Sequence, residues 1–373
     1  MKEFYMIKAV EALENSQLNS LSLKNNYALF LGNTSKILST FPNECIDCVI
    51  TSPPYWKLRE YDIESNSAQD EIGIEEKPQD YVTKLEQVFH EIKRVLKPSG
   101  SVWLNIGDKY HNKNLMGMPW RVALAMQDNG WILRNDIIWD QMKGTQSPKD
   151  RLRDAYEHIF HFVKNRKYFY ETDAVRIKPD KQPVISQNST ISATGVSGVK
   201  YRKQLLETEC LSEIEKQNAL QALDETIGRL RNGELVDFRM TIRGTQRTYH
   251  SDNGKVSGRA KELKDKGFFI LTSSSKGFLP TDIWRIVPED KWRKDEHYAV
   301  FPEELLQVPI KATCPENGIV LDPFVGTGST IVAALKLGKK AVGIDLSAKY
   351  LKVAEERIAD QALSHDGQYL LSF

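Results

Sequence analysis

At 373 residues, with 40% hydrophobic and 27% charged side chains, the chain can bury a substantial core and has neither a disordered nor a collagen-like composition. No apolar stretch approaches a bilayer span, and the start Met1-Lys2-Glu3-Phe4-Tyr5-Met6 has no signal-peptide core, so a cytoplasmic protein is expected. A formal net charge of +1 selects no partner, but 13 Lys and Arg stand against 6 Asp and Glu between Arg239 and Lys294, a surplus suited to phosphates as well as to a solvated face.

In chain order, Tyr27 to Leu31 is a short apolar run ending at Gly32-Asn33. A helix-compatible stretch, Thr34 to Phe41, leads to the strand pattern Ile46-Asp47-Cys48-Val49-Ile50, which closes on Thr51-Ser52-Pro53-Pro54-Tyr55-Trp56. Asp80 to Leu96 has helical spacing at Val88, Ile92, Val95 and Leu96. The spacing predicts a stop at Lys97-Pro98-Ser99-Gly100 and a strand over Ser101 to Ile106. Pro119 to Asn129 reads as a helix with proline in its first turn, and Trp131 to Trp139 and His158 to Val163 as a strand pair.

Beyond Asn165 the pattern changes. Lys178 to Val199 is rich in Pro, Ser, Thr and Gly and reads as a loop; Leu205 to Leu230 reads as one or two helices; Asp237 to Gly277 is basic, polar and glycine-studded. Regular alternation resumes with a helix from Glu303, the strand Gly318 to Leu321, the turn Asp322-Pro323-Phe324-Val325-Gly326-Thr327-Gly328-Ser329-Thr330, a helix to Leu337, the strand Lys340 to Ile344 and a helix from Ala348. Such alternation predicts an α/β fold, a mostly parallel sheet covered by helices on both faces, in one large domain with an insertion.

Four cysteines, Cys45, Cys48, Cys210 and Cys314, are too few for a disulfide framework. Cys45 and Cys48 form a lone CxxC without the partners of a zinc site, so no metal is expected.

Two segments carry the chemistry. Gly326 and Gly328, between a strand and a helix, let backbone approach a ligand at the carboxyl edge of a sheet, and about twenty residues on Asp345 ends the next strand, placed to accept from two ribose hydroxyls. The spacing is not G-x-G-x-x-G, and the lysine of a P-loop is missing. Thr51 to Trp56 puts a hydroxyl, a rigid diproline and an aromatic face at one strand end, a combination suited to a planar base bearing an amino group.

Together these segments resemble the S-adenosylmethionine-dependent DNA amino-methyltransferases, whose catalytic tetrapeptide is Ser, Asp or Asn followed by Pro-Pro and an aromatic. The order here, catalytic segment first, variable region in the middle, cofactor segment last, resembles the permuted β group. The resemblance implies a Rossmann-like sheet of seven strands, circularly permuted, with residues 1–164 as catalytic half, 165–296 as a target-recognition insertion and 297–373 as cofactor half. It implies Ser52, Pro53, Pro54 and Tyr55 as catalytic residues, and S-adenosylmethionine held by Asn33, Thr51, Phe301, Pro302, Asp322, Pro323, Phe324, Gly326, Thr327, Gly328, Ser329, Thr330 and Asp345. Asn33 departs from the family's Gly-Asp. Weaker matches are Trp139-Asp140-Gln141-Met142-Lys143, Pro148, Asp150-Arg151, Tyr156-Glu157-His158-Ile159 and His297 to Pro302.

An aromatic amine is a poor nucleophile because its lone pair is delocalised into the ring. The hydroxyl of Ser52 and the carbonyl of Pro53 would draw its hydrogens, Tyr55 would stack on the base, and proximity to a sulfonium methyl would orient a direct displacement. None of the cysteines follows a proline, as a ring-carbon methyltransferase would require. A duplex hides the amine, so the target nucleotide must rotate out of the stack. Arg151, Arg239, Arg243, Gln246, Arg247 and Arg259 are the expected DNA contacts, with Tyr249 and His250 interleaved among them.

Ser at the head of the tetrapeptide resembles the cytosine-N4 enzymes, whereas adenine-N6 enzymes more often carry Asp or Asn there, so adenine is the alternative target. The resemblance further implies duplex DNA as partner and a restriction-modification setting with a companion endonuclease. A non-catalytic DNA-binding protein of the same fold, or a methyltransferase acting on RNA or on a protein glutamine, are the rival readings.

Overall fold

The computed structural model describes residues 7–8, 26–58, 71–142, 148–186, 189–244, 258–288 and 302–361. The chain divides into two compact units, Met1–Ala174 with Thr281–Phe373, and Val175–Pro280.

The first unit is built on one sheet. Its strands are β1 (Ile7–Lys8), β2 (Tyr27–Leu31), β3 (Ile46–Thr51), β4 (Leu96–Ile106), β7 (Ile132–Asp140), β8 (Tyr156–Val163), β13 (Ile283–Arg285), β14 (Ile319–Asp322) and β15 (Lys340–Asp345), while β5 (Tyr110–His111) and β6 (Asn114–Leu115) form a small separate hairpin. The order across the sheet is β1-β2-β15-β14-β3-β4-β8-β7-β13. Strands β1 to β4, β14 and β15 run parallel, and β8 alone is antiparallel to both its neighbours. The seven strands expected from the sequence are joined by a short strand at each edge, β1 and β13, too brief to show a period.

Alternating strand residues feed two cores, as a sheet covered on both faces requires. On one face α1 (Thr34–Leu38), α2 (Pro78–Val95) and α3 (Met118–Asp128) pack on Ile46, Val49, Val102, Leu104, Phe160 and Phe162. Helix α2 presents Tyr81, Val82, Leu85, Val88, Phe89, Ile92 and Val95 to that core, one stripe at helical spacing. On the other face α7 (Glu303–Thr313), α8 (Ser329–Lys336) and α9 (Ala348–Gln361) pack on Cys48, Ile50, Trp103, Val320 and Ala341. Arg357 of α9 is fully buried and donates to Ser329 Oγ at 2.8 Å and to Glu303 Oε1 at 3.3 Å, so one charged side chain ties α9 to the starts of α8 and α7.

Helix α2 stops at Val95, as the sequence predicts, and β4 begins earlier than the strand expected over Ser101 to Ile106. Lys97 to Gly100 continues as extended chain within β4, with a register irregularity opposite Ile46 and Cys48, and a Cβ on Gly100 would lie 2.8 Å from the Asp47 carbonyl oxygen. Pairing with β3 extends the strand back to Leu96.

The second unit carries β9 (Val184–Ile185), β10 (Thr190–Ile191), α4 (Gly198–Glu207), α5 (Glu213–Arg231), β11 (Leu235–Ile242), α6 (Gly258–Lys266) and β12 (Phe268–Ser274). Helix α5 opens with a capping box, Ser212 and Glu215 each accepting from the other's backbone, which splits the expected helical stretch in two. Strands β11 and β12 pair antiparallel, and Leu235, Phe238, Met240 and Ile242 pack with Leu205, Leu223 and Leu230 into a core of the unit's own. Where the sequence predicts a polar, glycine-studded stretch, the structure has an antiparallel strand pair with one face in a core. No helix among the described residues is long and apolar enough to cross a membrane.

Candidate active site

The carboxyl ends of the parallel strands converge on one edge, where ligands bind in open α/β sheets. Thr51 ends β3, Asp322 ends β14 and Asp345 ends β15.

Asp322 joins the first two segments. It is 2% exposed and accepts from Thr51 Oγ1 at 2.8 Å, from Thr330 Oγ1 at 2.6 Å and from the Phe324 backbone at 3.1 Å. The bond to Thr51 spans 271 positions of sequence and fastens the tetrapeptide to the glycine turn. Burial pushes the Asp322 carboxyl up from 3.8 to about 6, against the lowering effect of its three donors. Because its folded value is raised, the stability this group contributes is fullest below about pH 4 and is lost as pH rises through about 6. A rise of that size corresponds to about 3 kcal/mol. Melting curves of Asp322→Asn and of the unaltered protein across pH 4 to 7 are expected to differ by this slope.

Asp345 is arranged differently. Its carboxylate accepts from Gly326 N at 2.8 Å and from Ser347 N at 2.9 Å, and a carboxylate has about four acceptor sites, so acceptor capacity remains. Gly326 and Gly328 have φ of 50° and 81°, and a Cβ on Gly328 would lie 2.8 Å from Ala354 Cβ. This left-handed backbone holds the turn flat against α9 and keeps side chains out of its path. Gly32 N donates to the Asp345 carbonyl at 2.9 Å, and Asn33 caps α1 by accepting from Lys36 N at 3.0 Å.

The other residues expected to hold the cofactor divide by what they touch. Pro323 accepts from Thr34 Oγ1 at 2.7 Å, Ser329 from Arg357, and Thr330 is engaged by Asp322, so these three brace the turn. Thr327 is buried and Phe324 packs against the core. Pro302 caps α7, and Phe301 lies outside the described residues.

In the tetrapeptide, Pro54 O accepts from Tyr81 Oη at 2.9 Å, and buried Trp56 donates to Glu75 O at 2.7 Å, which fixes the turn from both sides. Tyr55 Oη donates to Glu157 Oε2 at 2.5 Å and accepts from Ser52 Oγ at 3.2 Å. Asn105 Nδ2 reaches Tyr55 Oη and Glu157 Oε2 at 2.7 Å each and Ser52 Oγ at 3.4 Å, and Gln141 Nε2 donates to Glu157 Oε1 at 2.8 Å. Burial, then the Glu157 charge, holds the Tyr55 phenol well above its ordinary value, so it stays protonated. Gln141 and Glu157 fall within the weaker family matches of the sequence, with no role assigned to them there, and Asn105, an amide inside the apolar run Ser101 to Ile106, is a site residue that the sequence does not single out.

Gly107 follows β4 beneath the Tyr55 ring, where a Cβ would lie 2.7 Å from Tyr55 Cε2. Gly107→Ala must displace the ring. A misplacement of this kind costs about 10²-fold in turnover, and steady-state kinetics should show the loss in kcat with cofactor affinity unchanged.

The residues expected to contact DNA are scattered. Arg151 donates to Leu152 O and Asp154 and lies over the Tyr110 ring, 3.9 Å from its centroid. Arg243 donates to Cys210 O, Lys264 O and both Glu215 oxygens, so the guanidinium is engaged inside its own unit. Arg239 on β11 and Arg259 on α6 are exposed, while Gln246, Arg247, Tyr249 and His250 lie outside the described residues.

A nine-stranded α/β sheet with a glycine turn, a strand-end carboxylate and a hydroxyl-bearing diproline segment on one edge has the architecture of a methyltransferase. The profile of the DNA methylase family that unites N6 and N4 enzymes matches residues 46–356, and the chain belongs to that family of S-adenosylmethionine-dependent DNA amino-methyltransferases. It is 29% identical to the type II methyltransferase M.SfiI of Streptomyces fimbriatus, over 87% of this chain and 89% of that protein. It is 27% identical to M.SmaI of Serratia marcescens, over 88% and 90%. Among solved structures, PvuII DNA methyltransferase (cytosine-N4-specific) superposes with a TM-score of 0.54 at 16% identity, covering 93% of this chain and 90% of that one.

Proposed function

We propose that the protein methylates the exocyclic N4 amine of cytosine in duplex DNA, at specific sites and after base flipping, as the modification enzyme of a restriction-modification system. The observation that carries this reading is the Thr51 to Asp322 hydrogen bond, which sets Ser52-Pro53-Pro54-Tyr55 beside the glycine turn. When bound, S-adenosylmethionine supplies an electrophilic sulfonium methyl. The chain's residues do the rest. The remaining lone pairs of Asp345 suit two ribose hydroxyls, and the left-handed turn at Gly326 and Gly328 leaves backbone open to a ligand. Ser52 Oγ and the Pro53 carbonyl accept the amine hydrogens, and Tyr55 offers its ring to the base.

The choice of cytosine rests on serine at position 52, and the PvuII enzyme that shares the fold is by its name cytosine-N4-specific. The chain order supports a circular permutation: the two strands that carry the cofactor acids, β14 and β15, come last in sequence yet lie between β2 and β3 in the sheet. The insertion expected over residues 165–296, which contains the compact unit Val175–Pro280, serves target recognition, with Arg239 and Arg259 as contacts to phosphates or bases, and Arg151 is a further expected DNA contact. The type II relatives suggest a companion endonuclease cutting the same site. A transfer assay with radiolabelled cofactor on duplex DNA, RNA and protein tests the polymer: label in DNA is expected, and label in RNA or protein alone would overturn the proposal.

A further inference from the structure

Glu157 lies 102 positions from Tyr55 in sequence, yet the whole tetrapeptide network ends on it. The direction of that network is forced. Tyr55 Oη donates to Glu157 Oε2 at 2.5 Å, which commits the phenol hydrogen to the carboxylate. A phenol has one hydrogen, so Tyr55 can only accept from Ser52, and the single hydrogen of Ser52 is therefore turned toward Tyr55 at 3.2 Å. Asn105, 3% exposed, secures the order with the two hydrogens of its amide, whose nitrogen lies 2.7 Å from Tyr55 Oη and Glu157 Oε2 and which are shared with Ser52 Oγ at 3.4 Å, while its own Oδ1 has no partner among the described residues. Gln141 holds the second carboxylate oxygen at 2.8 Å. What Ser52 has left for a ligand is a lone pair.

Resting on the reading of Ser52 as the amine's acceptor, we infer that Glu157 is a positioning residue for methyl transfer, which through Tyr55 fixes the Ser52 hydroxyl as an acceptor and takes up the displaced proton. The balance closes. As the nitrogen forms its bond to the methyl carbon, the methyl–sulfur bond breaks and leaves its electron pair on sulfur, while an N–H bond breaks and its proton joins Ser52 Oγ. The proton that Ser52 held passes to Tyr55 Oη, and the one Tyr55 held passes to Glu157 Oε2. Both hydroxyls are restored, the donor loses its sulfonium charge and Glu157 becomes a neutral acid. The same fixed orientation favours an amine over a ring carbonyl at this position, because a carbonyl brings no hydrogen to the lone pair.

The test uses the full-length protein and duplex DNA, with three readouts: the single-turnover methylation rate, cofactor affinity by calorimetry, and base flipping by fluorescence of 2-aminopurine at the target position. Glu157→Gln and Tyr55→Phe should each lower the single-turnover rate by about 10²- to 10³-fold, within the range of general acid-base effects, with cofactor affinity and flipping unchanged. The double variant should be no slower than the slower single, as expected for two members of one chain. Glu157→Asp should recover part of the rate. A full rate in Glu157→Gln, additive losses in the double variant, or a loss that tracks weakened flipping would overturn the inference. Ser52→Ala separates the two levels. If it turns over normally, the reading of the tetrapeptide is wrong. If it is inactive while Glu157→Gln is fully active, the relay alone is wrong.

Discussion

Ser52→Ala is expected to lower single-turnover methyl transfer by about 10²- to 10⁴-fold while leaving the fold and cofactor affinity intact. The fold should survive because the turn is held by other atoms: Thr51 by Asp322, Pro54 by Tyr81, and Trp56 by Glu75. Removing the hydroxyl leaves Tyr55 bonded to Glu157 and Asn105, so the ring stays in place and only the acceptor for the amine is lost. Stopped-time labelling of a duplex, paired with calorimetry of cofactor binding, checks both halves. A loss confined to cofactor affinity would move Ser52 out of the acceptor role.

The second large effect falls on Asp345. Hydrogen bonds to a charged group contribute about 1.5–3 kcal/mol each, and Asp345→Ala removes the acceptor proposed for two ribose hydroxyls, so cofactor affinity should fall by about 10²- to 10⁴-fold. Burial raises this carboxyl from 3.8 to about 6, with the backbone donors of Ser347 and Gly326 pulling the other way. Hydroxyl donors favour the ionised form, so cofactor affinity should climb as pH rises through about 6 and level off above it. Calorimetry between pH 5 and 8 should show that step, and Asp345→Asn should abolish it. An unchanged step in Asp345→Asn would assign the titration to another group.

Much of the fold is legible in the sequence because its signals are local. The stripe Val88, Ile92 and Val95 and the strand Ile46 to Ile50 each report their element over a few residues, and the glycine turn announces itself by residue type. The antiparallel pair β11 with β12 is obscured by charge. Asp237 and Arg239 occupy the outward positions of a strand whose inward residues, Leu235, Phe238, Met240 and Ile242, belong to a core. The surplus of basic residues around it masks the alternation. Lys97 to Gly100 departs in the opposite way: Pro and Gly stop the helix as expected, but pairing with β3 and the carbonyl of Asp47 against Gly100 draw these residues into the strand.

At the site, the residues with a chemical signature in sequence are the ones whose neighbours are also their sequence neighbours, such as Ser52 with Tyr55. Glu157, Asn105 and Gln141 meet only because β4, β7 and β8 lie side by side, and nothing within about ten residues of any of them indicates the others. Arg243 shows the converse. Its residue type points to DNA, and its surroundings supply Glu215 and two carbonyls instead.

The central claim, an amine-accepting site selective for cytosine, is tested most directly by the product. DNA from cells expressing the protein, or duplex DNA methylated by it in vitro, is hydrolysed to nucleosides and the methylated species are separated by mass spectrometry, with DNA exposed to Ser52→Ala as the control. The account predicts N4-methylcytosine as the product and its absence from the control. N6-methyladenine as the only modified nucleoside, or N4-methylcytosine persisting in the Ser52→Ala sample, would contradict it.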